Sequence, residues 1–548
     1  VSSSAAEGTA RGRVGGMGVR TVGPAWAEEG LGHGSPKFPL SVEGPVWRLV
    51  DRLVPGVSSV TKYARYYTLY AAVAAEAERR SLGTEECRTL LRRAEALLAA
   101  AQIARSPGGV PAGLFPHGHD GVQPALSADD GLDLERAARD YSPRAWGFWS
   151  QYAAPAQILG TVTAGRDGPR PGRHACPAEV RALFAPLLAL AASGRPAARP
   201  AELAGAGAAA LGEPCEAERE WLAALLTATS GGTHRPDAWK ATDRTRRATL
   251  RVLARSVALR GADAYTAGPR GGDPYTDALR EAVAFGPLLA EDPVLSAIPE
   301  AARWRGLLLR HYSVSAWRRL WAGLVAEVGA DDGPDGGRDR SAADLRAWLC
   351  DHVPDGTVDR ELAALGPVHD RSGHPLPVER DLMADRDRPA PWRDVLVLLA
   401  GGLRAHRAEE DAHSADPLSA DVRRAFLGDR REFLDPRWTA GLLREYGHRP
   451  ARDLASRLVD DMLAQSRRVA LRKIRHDPRT GRPRVFSRLH MRNDRYFRLG
   501  EESSAEIGIR VHQLASVARQ LGLFAADDTR GGAPTPTDHA RTSLDVMP

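Results

Sequence analysis

The densest chemistry in this 548-residue sequence is positive charge at 467–498. Arg467, Arg468, Arg472, Lys473, Arg475, Arg479, Arg482, Arg484, Arg488, Arg492, Arg495 and Arg498 stand there against Asp477 and Asp494, a net of +10 on a chain whose total is +6. The rest of the chain is therefore net negative. Guanidinium groups pair bidentately with phosphate, and the interleaved Phe486, Tyr496 and Phe497 offer rings on which unpaired bases stack. The pattern predicts a nucleic-acid-binding surface, for DNA in the first instance. It would be carried by Arg468, Arg472, Lys473, Arg475, Arg482, Arg484, Arg488, Arg492, Arg495, Tyr496 and Arg498. A solvated basic face, or one that docks an acidic protein, would account for the same charges. Only Lys37, Lys62, Lys240 and Lys473 are lysines among 75 basic residues, a skew that GC-rich codons produce. The clustering of Arg, rather than its number, thus carries the inference.

Other chemistry-bearing strings are weaker. His117, His119 and Asp120 in FPHGHDG have types and spacing that can share a metal in an extended segment. They define an alternative, a metal-dependent nuclease or hydrolase, although Gly and Pro place them in a surface loop. His406, Glu409, Glu410 and His413 fall on one helical face, and Glu410–His413 and Glu445–His448 have the ExxH spacing of di-iron bundles. Two such pairs are no excess over chance spacing. The Asp129/Asp130/Asp133 and Asp331/Asp332/Asp335 strings have a diphosphate-binding DDxxD form but lie among Gly and Pro, not on a helix wall. No GxxxxGK[ST], strand-borne GxGxxG, GxSxG or kinase signature occurs. The residues imply no cofactor.

These residues must be positioned by a mostly helical chain. At about 150 residues per domain, the length suggests two to four domains, and 43% hydrophobic and 26% charged residues are ordinary globular values. Collagen, a disulfide mini-protein and a wholly disordered chain are excluded. The sequence has no apolar run of 18 residues, so no membrane helix is expected. Tyr66, Tyr70 and Val73 recur at helical spacing in 61–80, and Cys87, Leu90, Leu91, Ala94 and Leu98 line a second helix capped by Thr84. Further helices are predicted at 177–194, 216–228, 236–260, 274–290, 298–328, 341–352 and 391–410. Segments 106–131, 164–177 and 366–390 read as loops. In the basic stretch, a helix over 452–474 is followed by extended runs at Val485–Phe486 and Tyr496–Phe497, with a turn at Asn493–Asp494, and by a last helix over 505–521. Helix, ribbon, helix is the order of a winged-helix module.

The expected architecture is therefore mainly α and multi-helical in two regions, ending in a small winged-helix-like module with a β-ribbon. The boundaries are a disordered leader at 1–36, a helical region at 37–330, a linker at 331–340, a helical middle region at 341–450, the basic module at 451–524 and a disordered tail at 525–548. The chain opens on Val, and Met17 is a candidate start; Arg11 and Arg13 are not followed by a signal-peptide core. Cys87, Cys176, Cys215 and Cys350 lack paired or zinc spacing and point to a reducing cytoplasm.

One segment, LVPGVSSVTKYARYYTLYAAVA at 53–74, resembles a pattern in poorly characterised bacterial helical families. Its matching residues are Leu53, Pro55, Gly56, Ser58, Thr61, Ala64, Arg65, Tyr66 and Tyr67, and GFWSQYAAPAQILG at 147–160 is a second echo. The resemblance implies an accessory role beside phage-defence or mobile-element proteins and carries over no catalytic residue. Within the first segment, Arg65 is expected among the tyrosines, either packed or at a phosphate-binding helix start. The combined expectation is a non-catalytic, cytoplasmic nucleic-acid-binding component that works with other proteins. The metal-dependent enzyme and a protein-binding scaffold are the alternatives.

Overall fold

Apolar residues at helical spacing give helices along nearly the whole chain. The computed structural model describes residues 32–33, 38–106, 108–141, 147–165, 168–212, 214–260, 273–329, 339–369, 376, 381–382, 390–410, 417–476, 481, 483–527 and 532–547. The linker at 331–338, most of the leader, and Asp331, Asp332, Asp335, His413, Arg479 and Arg482 lie outside them. Helix accounts for 62% and strand for 9%, which makes the fold mainly α. Among the described residues, no helix is long and apolar enough to cross a membrane.

The central element is the helix Pro299–Ala326, buried on most of its sides. Trp304, Leu308, Val314, Trp317 and Leu324 are all buried, as befits a helix surrounded by others. Gly306 lets it approach the helix Pro417–Leu427, because a Cβ there would stand 2.4 Å from the Val422 carbonyl oxygen. Around it pack the helices Pro391–Glu410, Ala241–Leu259 and Gly44–Leu53. One contiguous hydrophobic cluster runs from Leu40 to Val546.

The expected loops hold short paired strands. Leu126–Ser127 pairs with Gly131–Asp133, and Val162–Gly165 pairs with Gly168–Pro171. The Thr84 helix starts where expected, but its end is closed by Glu86, whose Oε2 accepts the Gly83 N–H at 2.9 Å.

The tail is a correction. Expected to be disordered from Ala525, it forms a hairpin, Phe524–Asp527 with Ala533–Pro536, and a helix, Asp538–Leu544. The cause is a sparse set of apolar side chains, Phe524, Ala533, Leu544 and Val546, all buried. Arg247 donates to the Ser543 carbonyl at 2.5 Å and to Asp545 Oδ2 at 2.6 Å, which fixes this end on the helix Ala241–Leu259. The helix Val511–Gln520 also reaches the N-terminal region, where Arg510 pairs with Asp51 at 2.6 Å.

Candidate functional site

The basic segment starts on the helix Ala451–Arg472, whose Leu454, Leu458, Met462 and Val469 face the core. That register turns Arg467, Arg468 and Arg472 outward. Cations in the last turn also suit the helix dipole. Arg468 lies over the Phe433 ring at 4.8 Å and donates to Gln465 Oε1 at 2.8 Å. Arg472 donates to Ser41 Oγ, and Lys473 Nζ to the Phe38 carbonyl, each at 3.0 Å. Beyond this helix the extended runs form two ribbons rather than one.

In the first ribbon, Arg475–His476 runs antiparallel to Pro483–Val485, which runs parallel to Gly32–His33. Arg475 and Arg484 are direct cross-strand partners, and both are exposed. Residues directly opposite each other share a face, where like charges repel.

The second ribbon is the hairpin Leu489–Arg492 with Arg495–Arg498. Asn493 and Asp494 have φ of 48° and 57°, the left-handed pair that a tight two-residue turn requires. Its third strand, Arg340–Ser341, comes from the far side of the linker and sets Arg340 opposite the half-buried Tyr496. The hairpin's charge is largely compensated. Arg492 Nε donates to Asp339 Oδ2 at 3.2 Å and its guanidinium covers the Phe497 ring at 4.7 Å. Arg495 donates to the Asp339 carbonyl at 2.5 Å and lies 3.9 Å from Asp344. Arg498 is 3.9 Å from Glu501, while Arg488 is 3.9 Å from Glu502 and donates to the Glu501 carbonyl. Sequence distance hid these carboxylates, because Asp339 and Asp344 lie more than a hundred residues upstream.

The structure does not bring His117, His119 and Asp120 together, which corrects the metal reading. Gly118 has φ of 74°, and a Cβ there would stand 2.3 Å from the Tyr141 ring. This left-handed residue sends the two imidazoles apart. His119 Nδ1 meets the fully exposed Asp120 at 3.0 Å. His117 turns inward against Tyr66, 4.5 Å between rings, and its backbone N–H donates to the Tyr66 hydroxyl at 2.9 Å. Burial, with a smaller push from Lys62, lowers His117 to about 4. Among the described residues, no group of three or more His, Cys, Asp or Glu side chains could hold a metal ion. Of the HRAEEDAH face, Glu409 pairs with Arg437 at 3.4 Å. Asp133 caps the helix Leu134–Asp140 by accepting the Arg136 N–H at 2.9 Å.

His117 joins a cluster built from three separate segments. Tyr66, Tyr67 and Tyr70 come from the helix Arg65–Arg79, and Phe148 and Tyr152 from the π-turn Phe148–Tyr152. The Tyr152 hydroxyl accepts the Tyr63 N–H at 3.1 Å and donates to the Tyr63 carbonyl at 3.0 Å. At its centre is Glu95, a fully buried carboxylate that accepts the Tyr70 hydroxyl at 2.9 Å and the Phe148 N–H at 2.7 Å. Desolvation raises Glu95 to about 7, with Arg92, 3.6 Å away, acting in the opposite direction. Gly147, at φ of 105°, is required here, because a Cβ would stand 2.5 Å from Glu95 Oε1. Sequence reasoning missed Glu95. The available signal was a carboxylate one turn after Leu91, beside Ala94, on a face otherwise apolar.

Arg65 is not among these rings. Its guanidinium runs to the opposite side, with Nε 3.0 Å from Glu218 and Nη1 donating to the Ala208 carbonyl at 2.8 Å. The start of its helix is closed to phosphate, since Gln520 Oε1 accepts the Ala64 N–H at 3.0 Å. No protein-family model, curated protein or solved structure matches the chain.

Proposed function

We propose that this chain binds the phosphate backbone of nucleic acid along the edge formed by the end of the helix Ala451–Arg472 and the Arg475–Val485 ribbon. The observation that carries the reading is the Arg475–Arg484 pair, two exposed cations set directly across one ladder. A phosphate oxygen between them could accept a charge-assisted hydrogen bond from each guanidinium group. Arg467, Arg468 and Arg472, exposed on the end of that helix, extend the same footprint. Arg488, Arg492, Arg495, Arg498 and Tyr496 shape the adjacent hairpin, with their charge directed mainly to carboxylates of this chain. Phosphate contacts fix position without reading bases, so sequence preference should be weak. The helix–ribbon–helix order is compatible with a winged-helix arrangement, on which this footprint does not depend. The resemblance of residues 53–67 and 147–160 supports a non-catalytic component of a multi-protein bacterial defence system, and the dispersed cysteines support a cytoplasmic one.

A protein-docking scaffold is the second reading, favoured by Leu471, Met491 and Leu499, which are 48%, 37% and 40% exposed in the same module. Fluorescence anisotropy with random duplex and single-stranded oligonucleotides at two salt concentrations decides between them. Backbone binding predicts a log–log salt slope of about −0.9 per phosphate neutralised on duplex. The absence of salt-sensitive binding would leave the scaffold.

A further inference from the structure

A cavity of about 320 Å³ lies between the strap at 38–43, the central helix and the loop after the hairpin, lined by none of the arginines of the proposed nucleic-acid edge. Phe38, Leu40 and Trp321 give it apolar walls, and Glu43, Glu502, Arg318 and Arg488 give it two charges of each sign. Both carboxylates are nine-tenths or more buried, at 1% exposure for Glu43 and 8% for the Glu502 side chain.

Their pairing is incomplete. Arg318 meets Glu43 Oε1 at 3.0 Å, while Glu43 Oε2 has no partner. Glu502 Oε1 is also unpartnered, and Arg488 stands 3.9 Å from Glu502 with its buried Nε making no hydrogen bond. Burial raises both carboxylates above their ordinary range; Arg318 acts against this at Glu43, and the Trp321 indole, Arg488 and Arg318 act against it at Glu502. Buried carboxylates and guanidinium donors are costly to leave unpaired. Two acceptors and one donor of opposite charge are thus held around one small space.

Charge balance selects the occupant. A simple cation would add to Arg318, Arg488 and the nearby Lys473, and a simple anion would face both carboxylates. A neutral molecule carrying both charges meets neither objection. Its ammonium has Glu43 Oε2 and Glu502 Oε1 to donate to, and its carboxylate has Arg488 Nε to accept from. The volume sits at the lower end of small-molecule sites. We propose that this cavity binds a small zwitterion of the α-amino-acid class, with the ammonium between Glu43 and Glu502 and the carboxylate on Arg488.

The test uses the full chain and the standard free L-amino acids as probes, in thermal-shift assays followed by titration calorimetry. At least one probe should raise the melting temperature saturably, because a ligand that binds only the folded state stabilises it. The matching amine, without a carboxylate, and the N-acetyl derivative, without an ammonium, should not. Glu502→Gln should weaken binding about tenfold, the effect of one charged hydrogen bond. Ser503→Phe, which places a ring at the cavity lining, should abolish it and keeps the test valid if the first variant does not fold. No saturable shift with any amino acid would mean that the cavity holds water only and would overturn the proposal. Equal binding of the bare amine, or unchanged binding in both folded variants, would overturn it as well.

Discussion

The tyrosine cluster around Glu95 and the basic edge around Arg475 handle charge in opposite ways. At Glu95 a carboxylate is sealed inside aromatic rings and held by two hydrogen bonds and by Arg92 one turn away on the same helix. At the basic segment most of the cations stay at the surface, and four of them meet carboxylates, Asp339 and Asp344 from far upstream and Glu501 and Glu502 from just beyond the hairpin. Charge density along a sequence is therefore not charge density on a surface. The buried site bears on stability and the exposed edge is the proposed binding surface, and variants can separate the two.

The largest effect is expected from Glu95→Ala. It leaves the Tyr70 hydroxyl and the Phe148 N–H without an acceptor and opens a void, a loss of about 2–4 kcal/mol in urea unfolding. Glu95→Gln keeps an acceptor and should lose much less at neutral pH. Oligonucleotide affinity of either folded variant should match wild type.

The pH dependence comes next. Glu95 is raised from 4.5 to about 7, so its contribution is fully present below pH 4.5 and is lost as pH rises to 7. Linkage puts that change at about 3 kcal/mol. His117 is lowered from 6.5 to about 4, so its contribution is present above pH 6.5 and is lost as pH falls to 4. The two trends oppose each other between pH 4.5 and 6.5. In stability measured across that window, Glu95→Gln should make the protein more acid-sensitive relative to wild type, and His117→Phe less so. Parallel curves for all three proteins would contradict the burial-driven origin of both shifts.

The smallest effect concerns the compensated hairpin. Asp339→Asn breaks a partly buried pair with Arg492 at the molecular surface and should change stability by about 1 kcal/mol. It also frees cationic charge, so oligonucleotide binding should strengthen slightly.

Helices were legible wherever an apolar stripe ran for several turns, as in Thr84–Ala104 and Pro299–Ala326. The Asn493–Asp494 turn was legible because both residue types tolerate positive φ. The tail was not, because its anchors, Phe524, Leu544 and Val546, are single apolar residues among Pro, Thr and Asp. At the candidate site, the arginines and FPHGHDG were visible as strings, but their roles depended on Gly118 and on carboxylates brought from far along the chain. Glu95 follows the same logic: only the fold shows that its helix face meets Phe148 and Tyr70.

The most direct test of the proposed edge compares two double variants in the salt-dependent anisotropy titration. Arg475→Gln with Arg484→Gln should flatten the log–log salt slope on duplex DNA by about 1.8, the value for two lost phosphate contacts. Arg492→Gln with Arg495→Gln should leave the slope at the wild-type value, because those cations already serve Asp339 and Asp344. Equal flattening by both pairs, or flattening by the hairpin pair alone, would contradict the assignment of nucleic-acid binding to the Arg475–Arg484 ladder.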